Sequence, residues 1–113
     1  MHSMKLFHEP YEQIKTGKKD IELRLYDEKR QLVEIGDHIS FKNINMNEEI
    51  LAECVELHRA ETFQELFQRL NANSRMGFDE GLSPKEMSNE MRKYYSVENE
   101  QKYGVLGIEI RVL

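Results

Sequence analysis

Cysteine is almost absent from this sequence: Cys54 is the only one in 113 residues. An internal disulfide is therefore excluded, and so is a zinc site built from several cysteines. The strand-like residues around Cys54 mark it as a small buried side chain. No apolar run approaches the ~18 residues of a membrane-spanning helix, and the N-terminus lacks a signal peptide's hydrophobic segment. The expectation is a soluble cytoplasmic protein without membrane attachment. Positive charge is in deficit as well, with 16 lysines and arginines against 21 acidic residues and a net charge of −5. Broad, sequence-blind wrapping of a nucleic acid needs many cations facing phosphates, so that function class is disfavoured. A local basic site is not. Lys15, Lys18, Lys19, Arg24, Lys29 and Arg30 fall within one short span, while Glu48, Glu49, Glu53, Glu56, Glu61 and Glu65 cluster later.

The length fits one domain, residues 1–113, and suffices to bury a core without disulfides or metal. Met1-His2-Ser3 reads as a loose start and Met4 to Phe7 as an edge or opening strand. Pro10 at the first helical position and Gly17 just past the end predict a short helix over 10–16, with Tyr11 and Ile14 on one face. Period-two alternation predicts strands over 21–25 and 38–43, and apolar β-compatible residues a longer one over 50–58 paired back onto the second. At Thr62 the period changes. Thr62 with Glu65 forms a capping box, and Phe63, Leu66, Phe67 and Leu70 follow at helical spacing, giving a helix over 63–71. Residues 71–82 form a polar loop, either a connector or a lid. Ser83-Pro84-x-Glu86 opens a helix over 84–95 whose apolar stripe is Met87, Met91, Tyr94 and Tyr95. Leu106, Ile108, Ile110 and Val112 alternate in a final strand over 104–112, expected to be central. The fold class is mixed α/β of the α+β kind: a curved sheet or small barrel with about three helices at its side.

The unusual chemistry lies in Gly17-Lys18-Lys19-Asp20-Ile21-Glu22-Leu23-Arg24. Side chains alternate faces along a strand, so Ile21, Leu23 and Leu25 point to the core and Glu22 and Arg24 to the other side. Lys19 sits just upstream, past the Gly17 turn. Arg24 offers a planar fork for a phosphate, a carboxylate or a base edge, and Lys19 a compact charge. Glu22 can accept from an exocyclic amine such as that of cytosine, hold the two cations in place, or act as a general base if burial raises its pKa. The competing reading is an exposed ion-pair ladder contributing ~0–1 kcal/mol per pair.

The same octapeptide matches the G-x-K-x-x-E-x-R signature of the ASCH domain, within the PUA-like group of small barrels. Gly36-Asp37-His38-Ile39-Ser40-Phe41 and Tyr103-Gly104-Val105-Leu106-Gly107-Ile108 also resemble that family, in the same order, across essentially the whole chain. The resemblance implies a barrel-like fold with helices and a cleft beside the motif, and RNA or a nucleoside or nucleotide as partner. One bacterial branch resembles an amidohydrolase that deacetylates acetylated cytidine, using a lysine, a threonine three residues later and a distant glutamate. Lys19 matches the lysine and Glu80 best matches the glutamate, but Glu22 stands in place of the threonine.

Two readings follow. In one, a cleft lined by Gly17, Lys19, Glu22, Arg24 and Tyr95 recognises a base, with Tyr95 or Tyr94 stacking on it. In the other, Glu22 or Glu80 activates water and Lys19 stabilises the oxyanion during hydrolysis of an acylated nucleoside. The missing hydroxyl favours binding. Asp37 reads as turn chemistry. His38 and His58 are isolated, so no metal site is expected, and no cofactor is implied.

Overall fold

Alternating apolar residues build a five-stranded sheet in the order β1-β3-β4-β5-β2. The structure is a computed structural model describing residues 1–113. Its strands are β1 (His2–Leu6), β2 (Ile21–Leu25), β3 (His38–Asn43), β4 (Glu49–Ala60) and β5 (Val105–Val112). β1 runs parallel to β3, and every other neighbouring pair is antiparallel. The sheet curls into a half-barrel whose free edges are β1 and β2. β5 is an interior strand between β4 and β2, with Ile108 and Ile110 buried, while β4 takes the central place expected for β5.

Four α-helices accompany it: α1 (His8–Lys15), α2 (Phe63–Leu70), α3 (Pro84–Glu90) and α4 (Val97–Tyr103). α1 starts two residues before Pro10, which sits in the first turn where its missing N–H breaks no bond. Thr62 accepts from Glu65 N–H at the head of α2, but the Glu65 carboxylate turns to the N–H of Glu61, so only half of the expected box forms. The box on α3 is complete, with Ser83 and Glu86 each bonding the other's backbone N–H. The helix expected over 84–95 stops at Glu90, and residues Met91–Lys93 tighten into a 3-10 turn. α4 has no counterpart in the sequence reading. Ser96 caps it by accepting from Asn99 N–H, and its one buried residue is Glu100. The opening residues are not loose either. His2 and Ser3 pair with Ile39 and Ser40, and the His2 imidazole meets Asp37 at 2.8 Å.

The apolar residues form two layers, one on each face of the sheet. Inside the curl, Met4, Ile39, Phe41, Ile108 and Ile110 pack with Tyr11 and Ile14, which α1 delivers as it joins the two edge strands. On the opposite face Ile21, Leu23, Leu25 and Val105 meet Phe63, Leu66 and Phe67 of α2 and Met87 of α3. Each such fully buried side chain contributes about 1.5–3 kcal/mol. β2 is therefore covered on both sides, and that decides the environment of its charges.

Candidate functional site

The pairing of β2 with β5 sets Glu22 opposite Ile108 and Arg24 opposite Leu106, whose side chains belong to the layer inside the curl. Both charges consequently point inward, beside α1. Glu22 is only 4% exposed and Lys19 8%, and charged residues reach such burial almost only when paired. Lys19 Nζ stands 2.8 Å from Glu22 Oε1, and Arg24 Nη2 2.7 Å from Oε2. Arg24 Nε donates to the same Oε2 at 2.9 Å, and Nη2 also donates to the backbone oxygen of Lys5 on β1. The ladder is thus internal, not solvated.

Burial alone would raise the Glu22 carboxyl, but the charges of Lys19 and Arg24 and their hydrogen bonds overturn this and hold it at about 2. Glu22 is an anion that orients two cations, and it is a weak base. Burial would lower the Arg24 guanidinium, yet the Glu22 carboxylate beside it raises its pKa, so it stays charged. Burial pushes the Tyr95 phenol up, with Arg24 opposing it.

The triad lies at the wall of a cleft of about 460 Å³, whose lining includes Lys19, Glu22 and Arg24. That volume falls within the ~300–1,000 Å³ range of small-ligand sites. Tyr95 lines it with its ring stacked on Phe63, centroids 5.8 Å apart. Tyr94 and Phe7 also line it and remain more than half exposed. The lining carries four cations, Lys5, Lys19, Arg24 and Lys93, against three carboxylates, Glu9, Glu22 and Glu90.

The loop over 71–82 supplies the facing wall through Met76, Gly77 and Phe78. It is pinned at several points. Buried Asn73 donates to the backbone oxygens of Asp79 and Leu82, and Arg75 grips Asp20 at 2.8 Å and Glu109 at 3.2 Å. Gly77 allows close approach: its φ is +90°, and a Cβ there would stand 2.9 Å from Gln13 Oε1 and 3.3 Å from Lys19 Cδ.

Two residues expected at the site stand apart from the cleft lining. Gly17 turns the chain after α1 at φ 83°. Glu80 is exposed and accepts from the N–H of Ser74 at 3.2 Å. Its spacing ahead of α3 matched, but the chain between Asn73 and Leu82 folds back on itself and carries the carboxylate outward. The sequence reading missed Lys5, Phe7, Glu90 and Lys93. Proximity of α1's start to the motif would have pointed to Phe7; the others depend on tertiary contacts. Asp37 is a turn residue, accepting from Glu34 N–H. His58 pairs with Glu109 at 3.1 Å. No helix is long and apolar enough to cross a membrane.

A family model described as the ASCH domain matches residues 4–113. Among solved structures, hypothetical protein PH0355 is 34% identical at a TM-score of 0.84, over 98% of this chain and 97% of that one. Protein PF0455 from Pyrococcus furiosus is also 34% identical, at a TM-score of 0.74, over 99% of this chain and 96% of that one. A point mutant of ZmASCH from Zymomonas mobilis is 16% identical at a TM-score of 0.68, over 96% of this chain and 66% of that one, a likeness of fold. No curated protein matches.

Proposed function

This chain belongs to the ASCH domain family, whose members are generally thought to bind RNA, and on that premise we propose that its cleft holds a single base. The observation that carries this reading is the buried Lys19–Glu22–Arg24 triad beside exposed aromatic rings. The Arg24 Nη1 group donates to no protein acceptor, whereas Nε and Nη2 are fully committed. It offers a fixed donor to a base oxygen or ring nitrogen. Glu22 Oε2 is filled by Arg24, but Oε1, met by Lys19 alone, retains acceptor capacity for an exocyclic amine. Such alternation suits the edge of cytosine or a modified cytosine. Tyr94 and Phe7 supply faces on which a base would stack, each such contact being worth about 1–3 kcal/mol.

Hydrolysis of an acylated cytidine has less support. Glu22 occupies the place of the hydroxyl nucleophile, its carboxyl near 2 is a poor base at neutral pH, and Glu80 is exposed and bonded to its own loop.

Calorimetric titration of cytidine monophosphate and modified cytidines, alongside an assay of their turnover, tests the reading. Tyr94→Ala should weaken binding at least fivefold and leave the melting temperature in place, since Tyr94 is 59% exposed. Turnover of an acylated cytidine by the unmodified protein would overturn it, as would affinity unaffected by both Tyr94→Ala and Arg24→Lys.

A further inference from the structure

A second cleft, of about 510 Å³, lies between the end of β1 and the turn joining β3 to β4, and it is lined by Lys5, Lys42, Asn43, Asn47 and the neighbouring Glu48 and Glu49. Lys5 also lines the cleft of the buried triad, so the two concavities meet at one residue. Across the parallel β1–β3 pair, Lys5 stands directly opposite Lys42. Both are exposed, and neither forms an ion pair, although like charges directly opposite on adjacent strands repel. The nearby carboxylates are already engaged. Glu49 accepts from the Ser40 hydroxyl at 2.8 Å, and Glu48 lies 3.6 Å from Lys15.

The floor is rigid. Asn43 is buried, its Oδ1 accepts from the N–H groups of Asn45 and Met46, and its Nδ2 meets His8 at 3.0 Å. The turn is further tied to β1 by Ile44 N–H donating to Leu6 O at 2.9 Å. Two lysines without ion-pair partners thus extend from backbone positions about one strand spacing, ~4.8 Å, apart, with Glu49 opposite Lys42 on β4, over a preorganised polar bed next to the proposed base site.

We infer that this second cleft seats the phosphate of the nucleotide adjoining the one in the triad cleft, so that the ligand is a segment of single-stranded RNA and not a free nucleoside. The inference rests on the base-binding reading above. Lys5 and Lys42 neutralise the linking phosphate, and the side-chain amide of Asn47 meets the ribose 2′-hydroxyl, which deoxyribose lacks.

The test pairs two probes, cytidine, which carries no phosphate, by calorimetry and a labelled cytidine-containing single-stranded RNA hexamer by fluorescence anisotropy over a series of salt concentrations. The hexamer should bind more tightly than the nucleoside. Lys42→Ala should weaken the hexamer several-fold and flatten its log affinity against log salt slope by about 0.7. Cytidine affinity and melting temperature should not change. A hexamer slope unaffected by Lys42→Ala overturns this inference while leaving the base cleft standing. Equal affinity for the deoxyribose hexamer overturns the assignment to RNA. Failure of both probes to bind removes the base-binding reading, and this one with it.

Discussion

Arg24 Nη2 donates to the carbonyl oxygen of Lys5 at 2.9 Å, and these residues lie on the two edge strands that the sheet leaves unpaired with each other. One guanidinium therefore neutralises a buried carboxylate and bridges the open seam of the half-barrel. Arg24 is a structural residue as much as a recognition residue.

Arg24→Ala should accordingly destabilise the protein strongly. On a solvated strand face the change would cost only ~0.5 kcal/mol or less. With Glu22 only 4% exposed, the substitution strands a buried carboxylate on a single lysine, and breaking such a pair costs about 3 kcal/mol or more. Urea unfolding at neutral pH measures it. A loss under ~1 kcal/mol would show that water reaches Glu22.

The acid limb of stability should belong largely to Glu22. Its folded pKa of about 2 lies below the ordinary 4.5, so its contribution is complete above pH 4.5 and is lost as pH falls through 4.5 toward 2. The span corresponds to about 3 kcal/mol. Denaturant unfolding across that window should show a steep decline in the native sequence. Glu22→Gln should be less stable at neutral pH and visibly flatter in acid.

Gly77→Ala and Gly17→Ala separate backbone strain from site geometry. Both glycines have positive φ, but an added Cβ meets nothing within 4 Å at Gly17, whereas at Gly77 it presses on Gln13 and Lys19. Each change should cost about 1–2 kcal/mol from the left-handed conformation. Only Gly77→Ala should also weaken nucleotide binding, because it displaces Lys19; equal affinities in a titration would contradict this.

Glu100 should matter more than its place in a polar helix suggests. Buried on α4, it accepts from Phe63 N–H at the start of α2 at 2.8 Å and from Arg92 Nη2 at 2.6 Å. Glu100→Ala leaves both donors without their acceptor and should destabilise by about 2–4 kcal/mol. Glu100→Gln, which keeps the acceptor, should recover part of that loss in the same thermal melts.

The sequence revealed most where periodicity speaks directly. Alternation placed Ile21, Leu23 and Leu25 on the core side, and the helical spacing of Phe63, Leu66 and Phe67 marked α2. Alternation names a face but not its cover. Whether Glu22 met open water depended on the cleft around it, whose lining includes Phe78 and Tyr95, more than fifty residues away along the chain. α4 stayed hidden because Val97 to Tyr103 buries a glutamate instead of an apolar stripe, leaving only its caps, Ser96 before it and Gly104 after it, as local signals. The two-residue start of β1 was missed because its pairing with β3 is parallel and distant. Glu80 shows the limit of matching by spacing, since a loop of the same length can aim its carboxylate either way.

The position of β5 has a consequence for how the molecule comes into being. β3 and β4 form the one hairpin of adjacent strands, and β2 has β5 as its sole partner in the sheet. More than seventy residues are synthesised after β2 before that partner exists, so the strand bearing Glu22 and Arg24 waits unpaired while they are made. Pairings so far apart in the chain form slowly, because the loop must close before any contact rewards it. The hairpin can assemble early; the cleft is among the last features to appear. A nascent chain halted before Val105 holds the motif but no site.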